Sequence, residues 1–442
     1  MAAFDHERME GLVPEIRLSA AELLAEARGW SDDRDRPLTQ QLTLLEPLVS
    51  SYREREFRPA FYEFFAGGGM VRAGLGPEWD CLFANDFDHK KSATYRRNWG
   101  DRELLTGDVR AVRPEHLPGR ANLIWASFPC QDLSLAGAGA GLKGDRSGTF
   151  WPFWDVVKGL IANGRAPDII ALENVVGTLH SHDGKDFAVI CSAFQDAGYR
   201  FGAMVIDASL FVPQSRPRLF IIGVRGDVDI PASIRRETPS PTWHSRTLKT
   251  AFEELPLEVQ RNWIWWDMPA PPMRETTFAD LVEEHPTGVK WHTPVETQQL
   301  LAMMSDINRA KVDEAQWRSK NMGQRMVGAI YKRTRRDENG SKVQRAEVRF
   351  DDVAGCLRTP AGGSSRQLII VVDGENVRSR LISTRETARL MGLPDEYVLP
   401  VNYNEAYHLT GDGVAVPVVR HIAHHIFDSL IATLMPLSRE AA

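Results

Sequence analysis

Asn122-Leu-Ile-Trp-Ala-Ser-Phe-Pro-Cys130-Gln-Asp-Leu-Ser134 is the stretch on which the fold turns. Residues 122–127 form a short apolar run that reads as a buried strand. Pro129 has no N–H for a ladder and restricts Phe128 to extended backbone, so the approach to Cys130 is stiff. The segment Gly137-Ala-Gly-Ala-Gly141 that follows is predicted to move as a cover. A thiol at the C-terminal end of a strand in an α/β sheet lies where such folds gather ligands and chemistry. A rigid nucleophile under a mobile cover suits an enzyme that closes over its substrate. A small inert cysteine buried after a strand gives the same local pattern, so the flanking chain has to decide.

Upstream, Phe61-Tyr-Glu63-Phe-Phe65 reads as a strand, followed by Ala66-Gly67-Gly68-Gly69 and an apolar run from Met70 to Leu75. Strand, Gly-rich turn and helix form a nucleotide-binding arrangement, because glycines let backbone N–H groups approach a ligand. Asp86 ends the next strand, 19 residues past Gly67, where a carboxylate can accept from ribose hydroxyls. Asp108 ends the segment after that and can accept from an adenine amine. These features point to an adenosine-containing cofactor and leave NAD open. Downstream, Asp168-Ile-Ile-Ala-Leu172 is a buried strand ending at Glu173-Asn174-Val175. A carboxylate beside the Cys130 strand is placed for acid–base chemistry, and equally for a helix cap or ion pair. In Val212-Pro-Gln214-Ser-Arg216-Pro-Arg218 the two arginines stand at period 2 and point the same way along an extended segment.

The 442 residues, 43% apolar and 25% charged, suit a soluble globular chain of two or three domains. No apolar run reaches the ~18 residues of a membrane span, and the polar N-terminus is no signal peptide. Four cysteines without paired spacing argue for a reducing cytosol and against a zinc site, so no metal is expected. The net charge of −6 is unevenly spread: residues 320–345 hold eight bases against two acids. A polyanion senses such a local patch rather than the total. Residues 231–345 are rich in Pro and Trp with poor periodicity, an irregular region whose basic face centres on Lys332-Arg333-Thr-Arg335-Arg336. Ser383-Thr-Arg-Glu386 is a capping box opening a helix to Met391. Gly411-Asp412-Gly413-Val414 then precedes a long amphipathic helix, Pro417 to Leu434, and residues 19–27 predict another helix near the N-terminus.

Taken in this order, the segments resemble the DNA (cytosine-5)-methyltransferase family of prokaryotic restriction–modification type. The resemblance runs from Phe61 to Leu434 through Phe-Phe-Ala-Gly-Gly-Gly, Asn-Asp, Gly-Asp-Val, Phe-Pro-Cys-Gln, Glu-Asn-Val, Gln-Ser-Arg-Pro-Arg, Arg-Thr-Pro-Ala-Gly-Gly and Arg-Glu-Thr-Ala-Arg-Leu-Met-Gly. It implies an α/β fold with a doubly wound, mostly parallel sheet and a smaller irregular target-recognition domain. It divides the chain into an extension (1–57), a catalytic and cofactor-binding domain (58–230), a target-recognition domain (231–350) and a C-terminal segment (351–442) returning to the catalytic domain. S-adenosyl-L-methionine would be held by Glu63, Phe65, Ala66, Gly67, Gly69, Asp86, Phe87, Asp108, Pro129, Asp412 and Val414. Cys130 would add to C6 of cytosine, Glu173 would protonate N3, and Arg218 and Arg216 would complete the catalytic set. Gln131, Ser134, Arg146, Gln214, Lys332, Arg333, Arg335, Arg336 and Arg358 would meet DNA. The implied partner is double-stranded DNA, with the target base flipped out of the stack. The protein would be a cytoplasmic, nucleoid-associated monomer, with any cognate restriction endonuclease acting separately. Two positions depart from the family: Asp412 stands where Asn is usual, and Ala136 where some members have a Ser that fills the gap left by the base. An RNA cytosine-5 methyltransferase and a silent DNA-binding relative share much of this pattern. The long variable region favours DNA over the first, and intact Cys130, Glu173 and Arg218 argue against the second.

Overall fold

The apolar runs become strands in the computed structural model, which describes residues 58–129, 147–358 and 366–435. Cys130, Gln131, Ser134, Arg146, the Gly137–Gly141 segment and the N-terminal extension lie outside the described residues. β1 (Ala60–Phe64), β2 (Asp80–Asp86), β3 (Leu104–Thr106), β4 (Leu123–Ala126), β5 (Ile169–Val175), β6 (Tyr199–Asp207) and β7 (Pro217–Arg225) form one sheet. Its order is β3-β2-β1-β4-β5-β7-β6. The five strands from β3 to β5 run parallel, and β7 is antiparallel to both neighbours. Chain order reverses between β1 and β4, the position at which open α/β sheets hold ligands.

Successive residues of the central strands enter two different cores. Phe61, Leu123, Trp125, Ile169 and Ala171 belong to one. Tyr62, Phe64, Ile124, Ala126, Ile170 and Leu172 belong to the other. A sheet covered on both faces needs apolar side chains at every position, which is why these strands read as continuous runs rather than alternations. Each large side chain buried this way contributes roughly 1.5–3 kcal/mol. The first core is closed by α1 (Met70–Leu75) and α2 (His89–Trp99), the second by α3 (Phe150–Ala162) and α4 (Lys185–Asp196).

The expected irregular region carries regular structure at its C-terminal end. β8 (Met326–Arg336), β9 (Lys342–Arg349), β10 (Leu368–Asp373) and β11 (Asn376–Leu381) form an antiparallel sheet in the order β9-β8-β10-β11. α5 (Asp306–Met322) covers it through Val312 and Ala315, packed in one core with Ile330, Ile370 and Val372. β8 hid its period because its first half is buried on both faces, Ile330 in this core and Val327 and Ala329 in the first, and its second half runs out into solvent as Lys332–Arg336.

The capping box read at Ser383 is present. Ser383 Oγ accepts from Glu386 N, and the Glu386 carboxylate accepts from Ser383 N, opening α6 (Thr384–Leu390). α7 (Tyr403–Asp412) and α8 (Val416–Ile422) follow, and a single π turn at Ala423–Phe427 joins α8 to α9 (Asp428–Leu434). α8 crosses α1 at Gly74, where a Cβ would come within 2.4 Å of Val419 Cβ. Phe427 meets Trp79 and Trp125 edge-on, so the C-terminal helices lie on the β1/β4 face of the sheet. Residues 353–358 run beside 213–216: Ser215 N donates to Ala354 O and Ala354 N to Pro213 O.

Candidate active site

The Gly-rich turn is built by backbone that few residues tolerate. Phe65, Gly67 and Gly69 all have positive φ. Asp86 holds the turn from β2: one carboxylate oxygen accepts from Gly67 N at 2.7 Å and the other from Asp88 N at 2.7 Å. Burial raises the Asp86 pKa, with Lys91 opposing. Asn85 donates to Leu105 O and Gly107 O and so ties β2 to the Asp108 segment. A cavity of about 580 Å³ opens at this point. Its walls include Glu63, Phe65 to Gly68, Asp86, Phe87, Asp108, Ser127 to Pro129, Glu173, Arg218 and Gly411 to Val414. Ten of the eleven residues expected at the cofactor line it. Gly69 is the exception: a Cβ on it would strike Trp99 Nε1 at 2.4 Å, so this glycine exists for packing under α2. Nothing stands within 4 Å of the same point on Gly67, which faces open space.

The antiparallel register sets Val175 opposite Arg218 and Glu173 opposite Phe220. Glu173 and Arg218 are therefore diagonal neighbours, and Arg218 Nε meets Glu173 Oε1 at 3.1 Å. Asn174 donates to Phe128 O at 3.4 Å, coupling the end of β5 to the backbone that leads to Cys130. Pro129, bonded to Cys130, shares the cavity wall with Glu173.

Two expected site residues are engaged within the chain. Arg216, expected among the catalytic residues, lines the cavity and is 2% exposed. Its guanidinium donates to Gly411 O, Gly413 O and Leu357 O and to Cys356 Sγ, which makes it a brace between three segments. Burial, with Arg218 nearby, holds its pKa below the usual value. Gln214, expected at DNA, is fully buried. It donates to Leu390 O and accepts from Leu357 N, so both ends of its amide are committed inside the chain.

Sequence reasoning missed Lys91, Asn174 and Cys356. Lys91 Nζ pairs with Asp412 at 2.7 Å on the cavity wall, a contact between residues far apart in the chain. The Asp at position 412 was its only sequence signal. Burial pushes the Cys356 thiol up, but Arg216 and Arg218 more than reverse this and leave it below the ordinary value.

A second groove, about 990 Å³, lies on the outer half of the β8/β9 hairpin. Lys332, Arg333, Arg335 and Arg358 line it with Lys311 and Arg349, against a single acid, Glu347. Arg333 and Arg335 both pair with that acid. Arg336 is not part of this wall; it donates to Gly340 O in the hairpin turn.

A mostly parallel seven-stranded sheet, an antiparallel strand β7 inserted near its edge and a Gly-turn cavity at the point of reversal define a class I methyltransferase. Residues 60–428 match the model of the C-5 cytosine-specific DNA methylase family, and the chain belongs to that family. It is similar to type II methyltransferase M.HpaII of Haemophilus parainfluenzae, 27% identical over 88% of this chain and 94% of that one. Type II methyltransferase M.HhaI of Haemophilus parahaemolyticus is 24% identical over 84% and 94%. Among solved structures, the methyltransferase EhMeth of Entamoeba histolytica shares the fold at TM-score 0.54 and 14% identity, covering 86% of this chain and 100% of its own. A putative DNA modification methyltransferase from an E. coli prophage does so at TM-score 0.50 and 17% identity, covering 85% and 99%. The protein is a DNA (cytosine-5)-methyltransferase. No helix among the described residues is long and apolar enough to cross a membrane.

Proposed function

We propose that the methyl donor is S-adenosyl-L-methionine, bound in the Glu63–Val414 cavity, and that Cys130 is the nucleophile acting on a cytosine flipped out of a specific double-stranded DNA sequence. One observation carries this reading. A single cavity joins the Gly-rich turn to the Glu173–Arg218 pair, and its wall between them includes Pro129, the neighbour of Cys130.

The donor set fits the cofactor. Gly67 leaves room for a ligand, the exposed ring of Phe87 stands beside Asp86 for an adenine face, and the Asp86 and Asp108 carboxylates suit hydroxyl and amine donors. The bound cofactor supplies an electrophilic methyl group. Cytosine C5 is a poor nucleophile until C6 carries a substituent. The Cys130 thiolate adds to C6, Glu173 shares a proton with N3, and electron density then accumulates at C5. Once the methyl is on, loss of the C5 proton expels the sulfur and restores the ring. Arg218 keeps the Glu173 carboxyl oriented through its 3.1 Å contact. Pulling the base from the duplex costs a few kcal/mol, and the basic groove is suited to recovering this through phosphate contacts.

The β8–β11 sheet with α5 is the proposed target-recognition unit. Relatives named as type II methyltransferases support a modification role beside a separate endonuclease. One site per flipped base suits a monomer working at the nucleoid.

Cys130→Ser is expected to lose nearly all turnover while keeping its circular dichroism. Near-normal transfer of labelled methyl groups would remove Cys130 from the mechanism. Glu173→Gln is expected to slow covalent trapping on 5-fluorocytosine DNA, and unchanged trapping would clear Glu173 of the proton-sharing role.

A further inference from the structure

Cys356 lines the basic groove, and its sulfur also meets both arginines of the cavity wall. Arg216 Nη1 donates to Sγ at 3.3 Å, and Arg218 Nη2 stands 3.9 Å from it. The same Arg218 guanidinium sets its Nε 3.1 Å from Glu173 Oε1 and donates from Nη1 to Pro217 O at 2.9 Å. A guanidinium is a rigid planar fork. Where its two Nη atoms are held therefore decides where its Nε points.

The sulfur is itself held in place from both sides. Ala354 N donates to Pro213 O and Ala354 O accepts from Ser215 N. Leu357 N donates to the Gln214 side chain at 3.2 Å. Tyr331 OH donates to Cys356 O at 3.0 Å. The Tyr331 ring lies so close over Gly355 that a Cβ there would come within 2.5 Å of Tyr331 Cε2. This backbone gives Sγ little room to drift.

Charge favours an acceptor at this point. Arg216 and Arg218 stand two residues apart with the same direction, and each disfavours the charge of the other. A polarizable sulfur between them faces both guanidinium groups, and the two arginines draw the thiol towards its anionic form.

We propose that Cys356 is a positioning residue for methyl transfer, whose sulfur, seated between Arg216 and Arg218, keeps the Arg218 guanidinium aimed at Glu173. The inference rests on the role given to Glu173 above. The thiol forms no bond to substrate; it acts through Arg218 alone. It also comes from a segment that walls the groove, so the part of the chain read as meeting DNA supplies an anchor for the pair at the cavity.

The test is a double-mutant cycle on the full chain, read by single-turnover transfer of labelled methyl groups at saturating DNA and S-adenosyl-L-methionine. Cys356→Ala is expected to slow transfer about 10- to 100-fold, as misplaced catalytic groups do. Its affinities for DNA and for S-adenosyl-L-homocysteine are expected to stay near native, which also shows that it folds. Cys356→Ser, which keeps an acceptor, is expected to regain most of the lost rate. In an Arg218→Ala background Cys356→Ala is expected to add no further loss, because its effect passes through the missing side chain. An unchanged rate in Cys356→Ala overturns the inference, and so does a serine variant no faster than the alanine one. An equal loss in both backgrounds overturns it too, since the thiol then acts by another route. A loss that excess DNA abolishes assigns Cys356 to the groove instead and likewise overturns it. Native transfer by Arg218→Ala is a separate result: it removes the Glu173–Arg218 reading itself, and the inference falls with it.

Discussion

Arg216 and Arg218 stand two residues apart, share a direction, and differ in task. Arg218 reaches Glu173, whereas Arg216 spends its donors on carbonyls of the 357 and 411–413 segments. Period 2 revealed the common direction but not the destinations, because those lie 140 and more residues away. Glu63 was legible as a cavity residue but not as a buried acid whose carboxyl oxygens meet no side-chain partner among the described residues. His244 carries a prediction of the same kind. It is 1% exposed, accepts at Nδ1 from Ser240 N, and its Nε2 has no partner among the described residues. Burial lowers its pKa to about 4. The unfolded chain, with an ordinary imidazole near pH 6.5, takes the proton first on acidification. Stability from this group is therefore complete above pH 6.5 and is lost as pH falls towards 4, by at most about 3 kcal/mol. Urea midpoints measured from pH 7 to pH 4 are expected to fall less steeply in His244→Gln than in the native chain. Parallel slopes would clear this histidine.

At the scale of elements, α2 and α7 are joined by two ion pairs, Lys91–Asp412 and Lys90–Glu405. Asp412 stands where the resemblance expects Asn; in the fold it holds Lys91 against the cavity wall. Such partly exposed pairs are worth roughly 0.2–1 kcal/mol. Asp412→Asn is thus expected to weaken S-adenosyl-L-homocysteine binding by up to about fivefold, and to make that binding less sensitive to salt. Fluorescence titration at two salt concentrations checks this, and an unchanged affinity would leave the pair without a role at the site. Elements whose signals are local were readable: the strand before Pro129, the capped helix at Ser383, the Gly-rich turn. The π turn at Ala423–Phe427 was not, because a widened turn keeps nearly the same apolar pattern as the helix around it. The full extent of β8 was not either, because its charged half pairs with β9 while standing clear of any core.

At the scale of the whole molecule, charge is segregated. A chain with net charge −6 carries a groove with six basic side chains against one acid. The 353–358 segment connects the two concavities, since Cys356 and Arg358 line the groove while Cys356 also accepts from Arg216 on the cavity wall. DNA affinity is expected to fall steeply with salt. Replacing Lys332, Arg333 and Arg335 together by Ala is expected to reduce the log–log salt slope by about 2–3. Filter binding across a salt series measures it, and a slope equal to that of the native chain would take the β8 bases out of the interface.

The cavity wall draws on Glu63 in β1 and Gly67 in the turn after it, and on Asp412 at the end of α7 and Val414 just before α8. Translation makes these two halves far apart in time. A nascent chain still short of residue 414 holds only part of the pocket. A chain terminated before residue 414 is therefore expected to have an incomplete cavity wall.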